Sequence, residues 1–285
     1  MPYSLRMAIE GASVSRGHRP AWLERASDVR FVGYSHEGDQ TLLCLSAPSL
    51  GEAAEELYKQ HKFWETCPAP DQTAVDVLAN VVREVGSGNA ESDWFDQSLL
   101  DRFAKLDGLF SSRLRAVHLP AVKVGRKKGF DASVDDSIVK AACNLSNRTP
   151  PSRQVRVTGT LDMIRHSTRS FGLQLDDGTE IRGVAENYEL MDSLKEHFSK
   201  KVLVLGKAVY RPSGRLLRVD THAVESGENQ PSVFAKVPQP RSRQPQPVRE
   251  NPAARGKQGV AAFFGTWPGD ETDAELEAML REVRG

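Results

Sequence analysis

"QVRVTGTLDM", residues 154–163, alternates without a break. Val155, Val157, Gly159, Leu161 and Met163 fall on one face, and Gln154, Arg156, Thr158, Thr160 and Asp162 on the other. A period of two is the mark of a half-buried strand. Gly159 inside that strand predicts a bend or bulge where one strand serves two sheets, because a residue without Cβ turns there at no steric cost. "SFGLQLDDGTEIRGVAE" (170–186) reads as a hairpin turned by Asp177-Gly178, between Phe171, Leu173 and Leu175 on one arm and Ile181 on the other. "NYELMDSLKEHFSK" (187–200) is a short amphipathic helix with Leu190, Met191, Leu194 and Phe198 as its stripe. "KVLVLGKAVYRPSGRLLRVDTHAV" (201–224) is a second hairpin turning on Pro212-Ser213-Gly214, with Gly206 placed in its first strand as Gly159 is in the strand above.

Strand, strand, strand, helix, strand, strand over 150–226 resembles the OB-fold, a five-stranded, partly open Greek-key barrel. Another small barrel or an α+β sheet fits the same order. The resemblance implies oligonucleotide binding on the face of strands 2 and 3 and in the 1–2 and 4–5 loops. Those loops carry Arg165, His166 and Arg169, then Arg211 and Arg215, with Tyr210 beside them as a stacking surface. The strand 2–3 positions expected to face outward, Gln174, Asp176, Glu180 and Arg182, are mixed in charge and hold no aromatic ring.

Residues 1–149 read as mixed α/β, making the whole chain α+β. Tyr3, Leu5, Met7 and Ile9 alternate as a strand would, and "DVRFVGY" (28–34) and "TLLCLSA" (41–47) are two further strands split by the turn-rich "SHEGDQ". "APDQTAVDVLANVVREVGSG" (69–88) predicts a helix with Val77, Leu78, Val81, Val82 and Val85 on one stripe and Gly86 just past its end. "FDQSLLDRFAKLDGLF" (95–110) repeats the pattern with Leu99, Leu100, Phe103 and Leu106, Asp96 serving as cap. A last helix over "SVDDSIVKAACNLS" stops before Thr149-Pro150-Pro151.

No catalytic signature accompanies these elements. The chain lacks a nucleophile elbow, a P-loop, a dinucleotide fingerprint, an H-E-x-x-H pair and an EF-hand loop. "VGRKKG" (124–129) misses the P-loop spacing and reads as a basic turn. His18 between Arg16 and Arg19, His36 with Glu37 and Asp39, and Asp93, Asp96 and Asp101 around Trp94 and Phe95 form no catalytic constellation. Cys44, Cys67 and Cys143 are odd in number and show no C-x-x-C spacing, which argues against a disulfide framework or a zinc site. The 285 residues carry 38 Lys and Arg against 38 Asp and Glu, with 39% hydrophobic residues, so bulk charge favours neither nucleic acid nor membrane. With no apolar leader at the N-terminus and no run long enough to span a bilayer, the expectation is a bacterial cytoplasmic protein, leaning non-enzymatic, without cofactor or metal.

Residues 227–258 are rich in Pro, Gln and Arg and read as a disordered basic linker, with Lys236, Arg241, Arg243, Arg249, Arg255 and Lys257 against Glu228 and Glu250. Residues 259–285 then hold "FFGTWPGDETDAELEAML" (263–280). Thr272 and Glu275 form a capping box, and Leu276, Met279, Leu280 and Val283 make one apolar stripe. A helix of about twelve residues is marginal alone in water, so it needs a surface to lie against. Phe263, Phe264 and Trp267 are its aromatic anchors, and Asp270 and Glu271 suit a basic site on the receiving surface. The stretch resembles the tail of small bacterial proteins with a G-x-W-P-G-D-E-[ST]-D-E-E-like motif, antitoxin-like partners of toxins that include PIN-type ribonucleases. Phe264, Gly265, Trp267 and Pro268 to Asp273 carry the match, and Ala274 departs from it. The resemblance implies a tail that binds a partner protein; docking back on its own chain is the alternative. The leading expectation is therefore a partner-binding protein, the second a binder of single-stranded nucleic acid.

Overall fold

In the computed structural model the residues described are 1–14, 19–59, 64–110, 114–119, 123–124, 127–128, 131–228 and 231–240. Arg16, His18, most of the expected linker and the whole 259–285 tail lie outside them.

The N-terminal segment is helical where alternation suggested a strand. α1 (Pro2–Glu10) starts with Pro at its first position, where a missing N–H costs nothing, and ends on Gly11 at φ 73, whose N–H reaches Met7 O. Leu5 and Ile9 are four apart, as are Tyr3 and Met7, so a period of two also satisfies a helix. The segment is buried on several sides, with Leu5, Ala8 and Ile9 entering one core cluster and Met7 another. No polar face remains to reveal the 3.6 period.

α2 (Ala21–Ala26), β1 (Arg30–Glu37), β2 (Gln40–Ser46), α3 (Leu50–Ala53) and α4 (Glu55–Tyr58) follow. β1 and β2 form an isolated antiparallel hairpin. α5 (Ala74–Gly86) begins with Thr73 and Asp76 in a reciprocal capping box. Gly86 is its last helical residue rather than the residue beyond; the left-handed position falls at Gly88, φ 67, whose N–H donates to Val85 O. α6 (Gln97–Ala104) is capped by Asp96, which accepts from Leu99 N at 3.1 Å, as expected. Then come α7 (Asp107–Phe110), β3 (Ala116–Leu119), β4 (Lys123–Val124), β5 (Lys127–Lys128), β6 (Ala132–Asp135) and α8 (Asp136–Arg148). Ala132–Asp135 pairs with β3, so α8 starts three residues later than the helical pattern suggested, with Asp135 as its cap.

The remaining strands close a barrel. β7 (Arg153–Arg165), β8 (Ser170–Gln174), β9 (Glu180–Ala185), α9 (Tyr188–Glu196), β10 (Lys201–Tyr210) and β11 (Leu216–Ser226) pair in the order β7-β8-β9-β11-β10-β7. β9 and β11 run parallel and every other pair is antiparallel. A closed five-stranded barrel with its helix between the third and fourth strands is compatible with the OB-like reading. Gly159 and Gly206 each mark a close backbone approach: a Cβ would stand 2.9 Å from Gln174 O at the first and 2.5 Å from Asp220 O at the second. A bulge between Leu161 and Met163 shifts the register, which turns Met163 out to 39% exposure although alternation placed it inside. Phe198, the last residue of the expected helix stripe, is also exposed, because α9 ends at Glu196.

The barrel interior packs Val157, Leu161, Phe171, Leu173 and Val219 against Met191 and Leu194 of α9. A second core runs through the helices: Val81, Val82, Leu99, Leu100, Phe103, Val139 and Leu145 gather around Phe95, and Leu217 of β11 joins them. Residues 1–241 thus belong to one unit by their contacts.

Candidate functional site

Part of the barrel surface expected to meet nucleic acid, Arg165, Arg169, Arg182 and Arg211, is engaged by residues of the helical part of the chain. Arg165 is 5% exposed and donates from Nη2 to Leu57 O at 2.7 Å. Burial pushes its guanidinium below the ordinary value. Arg169, in the left-handed region at φ 52, donates to Glu186 O at 2.7 Å and lies 3.5 Å from the buried Glu10 carboxylate. Arg211 pairs with Asp93, and so does Arg182 of β9, at 2.9 Å. Arg182 also lies 4.8 Å from the Trp64 ring, while Trp64 packs on Val184. The third barrel strand therefore meets Trp64 and Asp93 from outside the barrel, while Gln174, Asp176 and Glu180 face outward and stay exposed, as expected.

The other expected residues sit differently. His166 lies 3.6 Å from Asp192 and its ring 5.1 Å from that of Tyr188. Arg215 is largely exposed, 3.6 Å from Glu91. Tyr210 is buried, accepts from Arg153 Nε at 3.2 Å and donates to Gln239 O at 3.1 Å, so its ring offers no open stacking surface. Phe263, Phe264, Trp267, Asp270, Glu271, Leu276, Met279 and Leu280 fall outside the described residues.

Asp96 does more than cap a helix. Its carboxylate accepts from Ser13 N and Oγ at 3.1 and 2.6 Å, and from Arg218 Nη2 at 3.0 Å. Burial alone would raise this carboxyl, yet Arg218 and the Ser13 and Leu99 donors hold it below the ordinary value. Among the described residues no group of His, Cys, Asp and Glu is arranged to hold a metal, and no helix is long and apolar enough to cross a membrane. His36 is 3.1 Å from Thr41 Oγ1 and stacks edge-on with Tyr34, part of the hairpin surface.

Two further surfaces of the described residues stand out. One is the hairpin β1–β2. Register pairs Phe31 with Leu45 and Tyr34 with Leu43, so these four share one face. They are 60, 46, 65 and 63% exposed, and Val32 at the bulge is 69% exposed. The exposed apolar side chains are thus gathered on one face rather than scattered singly. Sequence alternation located both strands; it could not tell that nothing in the described chain covers them.

The other is a groove of about 680 Å³ between β7 and the stretch 231–240. Arg153 and Arg156 of β7, His222 of β11, and Phe234 and Lys236 of the stretch line it. Neither a protein-family profile, nor a curated protein sequence, nor a solved structure matches this chain.

Proposed function

We propose that this chain is a non-enzymatic protein whose task is to bind a partner protein, and that the β1–β2 hairpin is one of its docking surfaces. The apolar face of Phe31, Tyr34, Leu43 and Leu45 carries the reading. A lone two-stranded hairpin is marginal in water, and among the described residues no further strand pairs with the outer edge of either strand. The occupant that satisfies both is an extended partner segment that adds a strand to the edge and buries apolar side chains on the face. The tail supplies the second anchor, Trp267 and Leu280 bringing apolar contact and Asp270 and Glu271 the acidic flank. An antitoxin-like inhibitor of a toxin protein such as a PIN-type ribonuclease is the specific form that the tail's resemblance favours.

The test compares the full chain, the Tyr34→Asp/Leu43→Asp variant and a 259–285 deletion. Each is used as bait in a bacterial lysate, and the recovered protein is then purified for titration. A purified partner whose affinity drops at least tenfold with the hairpin variant, at unchanged melting temperature, supports the reading. A full chain that is dimeric by light scattering and becomes monomeric with the variant would assign the face to a second copy and overturn it.

A further inference from the structure

We infer that the groove between β7 and the 231–240 stretch binds single-stranded nucleic acid through its phosphates. Three of the arginines in the barrel's loops are spent internally, Arg165 on a backbone carbonyl, Arg169 on the Glu10 carboxylate and the Glu186 carbonyl, and Arg211 on Asp93, whereas Arg215 is largely exposed beside Glu91. In the groove the balance is reversed. Arg153, Arg156 and Lys236 line it and no described lining residue is a carboxylate. The side chains of Arg156 and Lys236 are exposed and, among the described residues, make no hydrogen bond or ion pair. In a chain of zero net charge, three gathered cations without counter-charges are an unbalanced site.

The fold builds the groove. Register sets Arg156 of β7 beside Leu205 of β10 on the outer barrel face. The chain leaving β11 turns back across that face, held where Tyr210 donates to Gln239 O at 3.1 Å and where Val237 packs on the barrel core. This places Lys236 on the opposing wall and brings Phe234, half-buried, and Val233, 64% exposed, alongside. Cations tracking a backbone beside an aromatic surface are what sequence-tolerant single-strand binding requires. The volume lies within the range of small-ligand clefts, enough for one or two nucleotides, with the rest of a strand running out over the surface. The sequence that follows continues the same sign with Arg241, Arg243 and Arg249.

Fluorescence anisotropy of the full chain with a labelled single-stranded 12-mer tests the site. Arg156→Glu/Lys236→Glu is expected to weaken binding at least tenfold and to flatten the slope of log affinity against log salt by about 1.4, two phosphate contacts at about 0.7 each. Lys105→Glu/Arg115→Glu, an equal charge change at exposed positions elsewhere, is expected to stay within twofold of wild type. Equal losses in the two variants would mean that only bulk charge is read and would overturn the site. Wild-type binding by the groove variant, or no binding by the full chain, overturns it equally. Inorganic polyphosphate displacing the 12-mer as well as unlabelled 12-mer at equal phosphate would refute the nucleic-acid assignment. Melting curves confirm that both variants stay folded.

Discussion

Asp96 and Arg218 are 4 and 3% exposed and lie 122 residues apart, yet each is the other's counter-charge. Asp220 shares Arg218 at 2.6 Å, so loss of Asp96 leaves the guanidinium only part-neutralised. Asp96→Asn keeps the shape but removes the charge, and should cost about 3–5 kcal/mol in urea unfolding, the usual penalty for breaking a buried pair from one side. Because the folded carboxyl is held below its ordinary value, its contribution is present above the unfolded value of about 3.9 and disappears as pH falls through the folded one. Stability of the wild type should therefore drop steeply below about pH 4, and Asp96→Asn should show a shallower loss over the same window. A variant that follows the wild-type curve would show that other carboxylates govern acid unfolding. Sequence spacing made Asp96 legible as a cap, since a cap is a local object three residues long. Its partnership with Ser13 and Arg218 was not legible, because ion pairs across a fold leave no mark in either neighbourhood.

Elements were readable in proportion to how cleanly one face differs from the other. The barrel strands, α5 and α6 each present polar and apolar sides, so period alone placed them. α1 has no such contrast, and a buried helix then looks like a strand when apolar residues happen to alternate. Bulges defeat periodicity in the same way: Met163 lost its expected side to one inserted residue at Asp162. The β1–β2 hairpin was readable as strands but not as a surface. Being exposed, its apolar side chains contribute little to folding, so Tyr34→Ser or Leu43→Asn should change unfolding free energy by no more than about 0.5 kcal/mol. A loss of several kcal/mol would place the face in the protein's own core and remove the docking reading with it. In the barrel the opposite holds: Leu173→Ala, at a fully buried position, should cost about 2–5 kcal/mol.

At the scale of the molecule, the barrel and the helices lean on one another. Leu217 enters the helical core, Val184 lies under Trp64, and Arg169, Arg182, Arg211 and Arg218 all find carboxylates contributed from residues 1–149. The texture change at Thr149-Pro150-Pro151 marks where the chain passes from helix to barrel, but a change of texture says nothing of whether the two parts can be separated. A 150–226 fragment would expose those apolar side chains, at about 1.5–3 kcal/mol for each large one, and would leave several arginines without counter-charges. It would also lose Val237 and the Gln239 carbonyl that Tyr210 holds. We therefore expect the 150–226 fragment to be much less stable than the full chain, and the 150–240 fragment to recover about 1–3 kcal/mol of the difference. The full chain should unfold in one cooperative transition when circular dichroism and Trp fluorescence are followed together. Coincident melting of the 150–226 fragment and the full chain would instead establish the barrel as an independent domain, and the ion pairs between the two parts as marginal surface contacts.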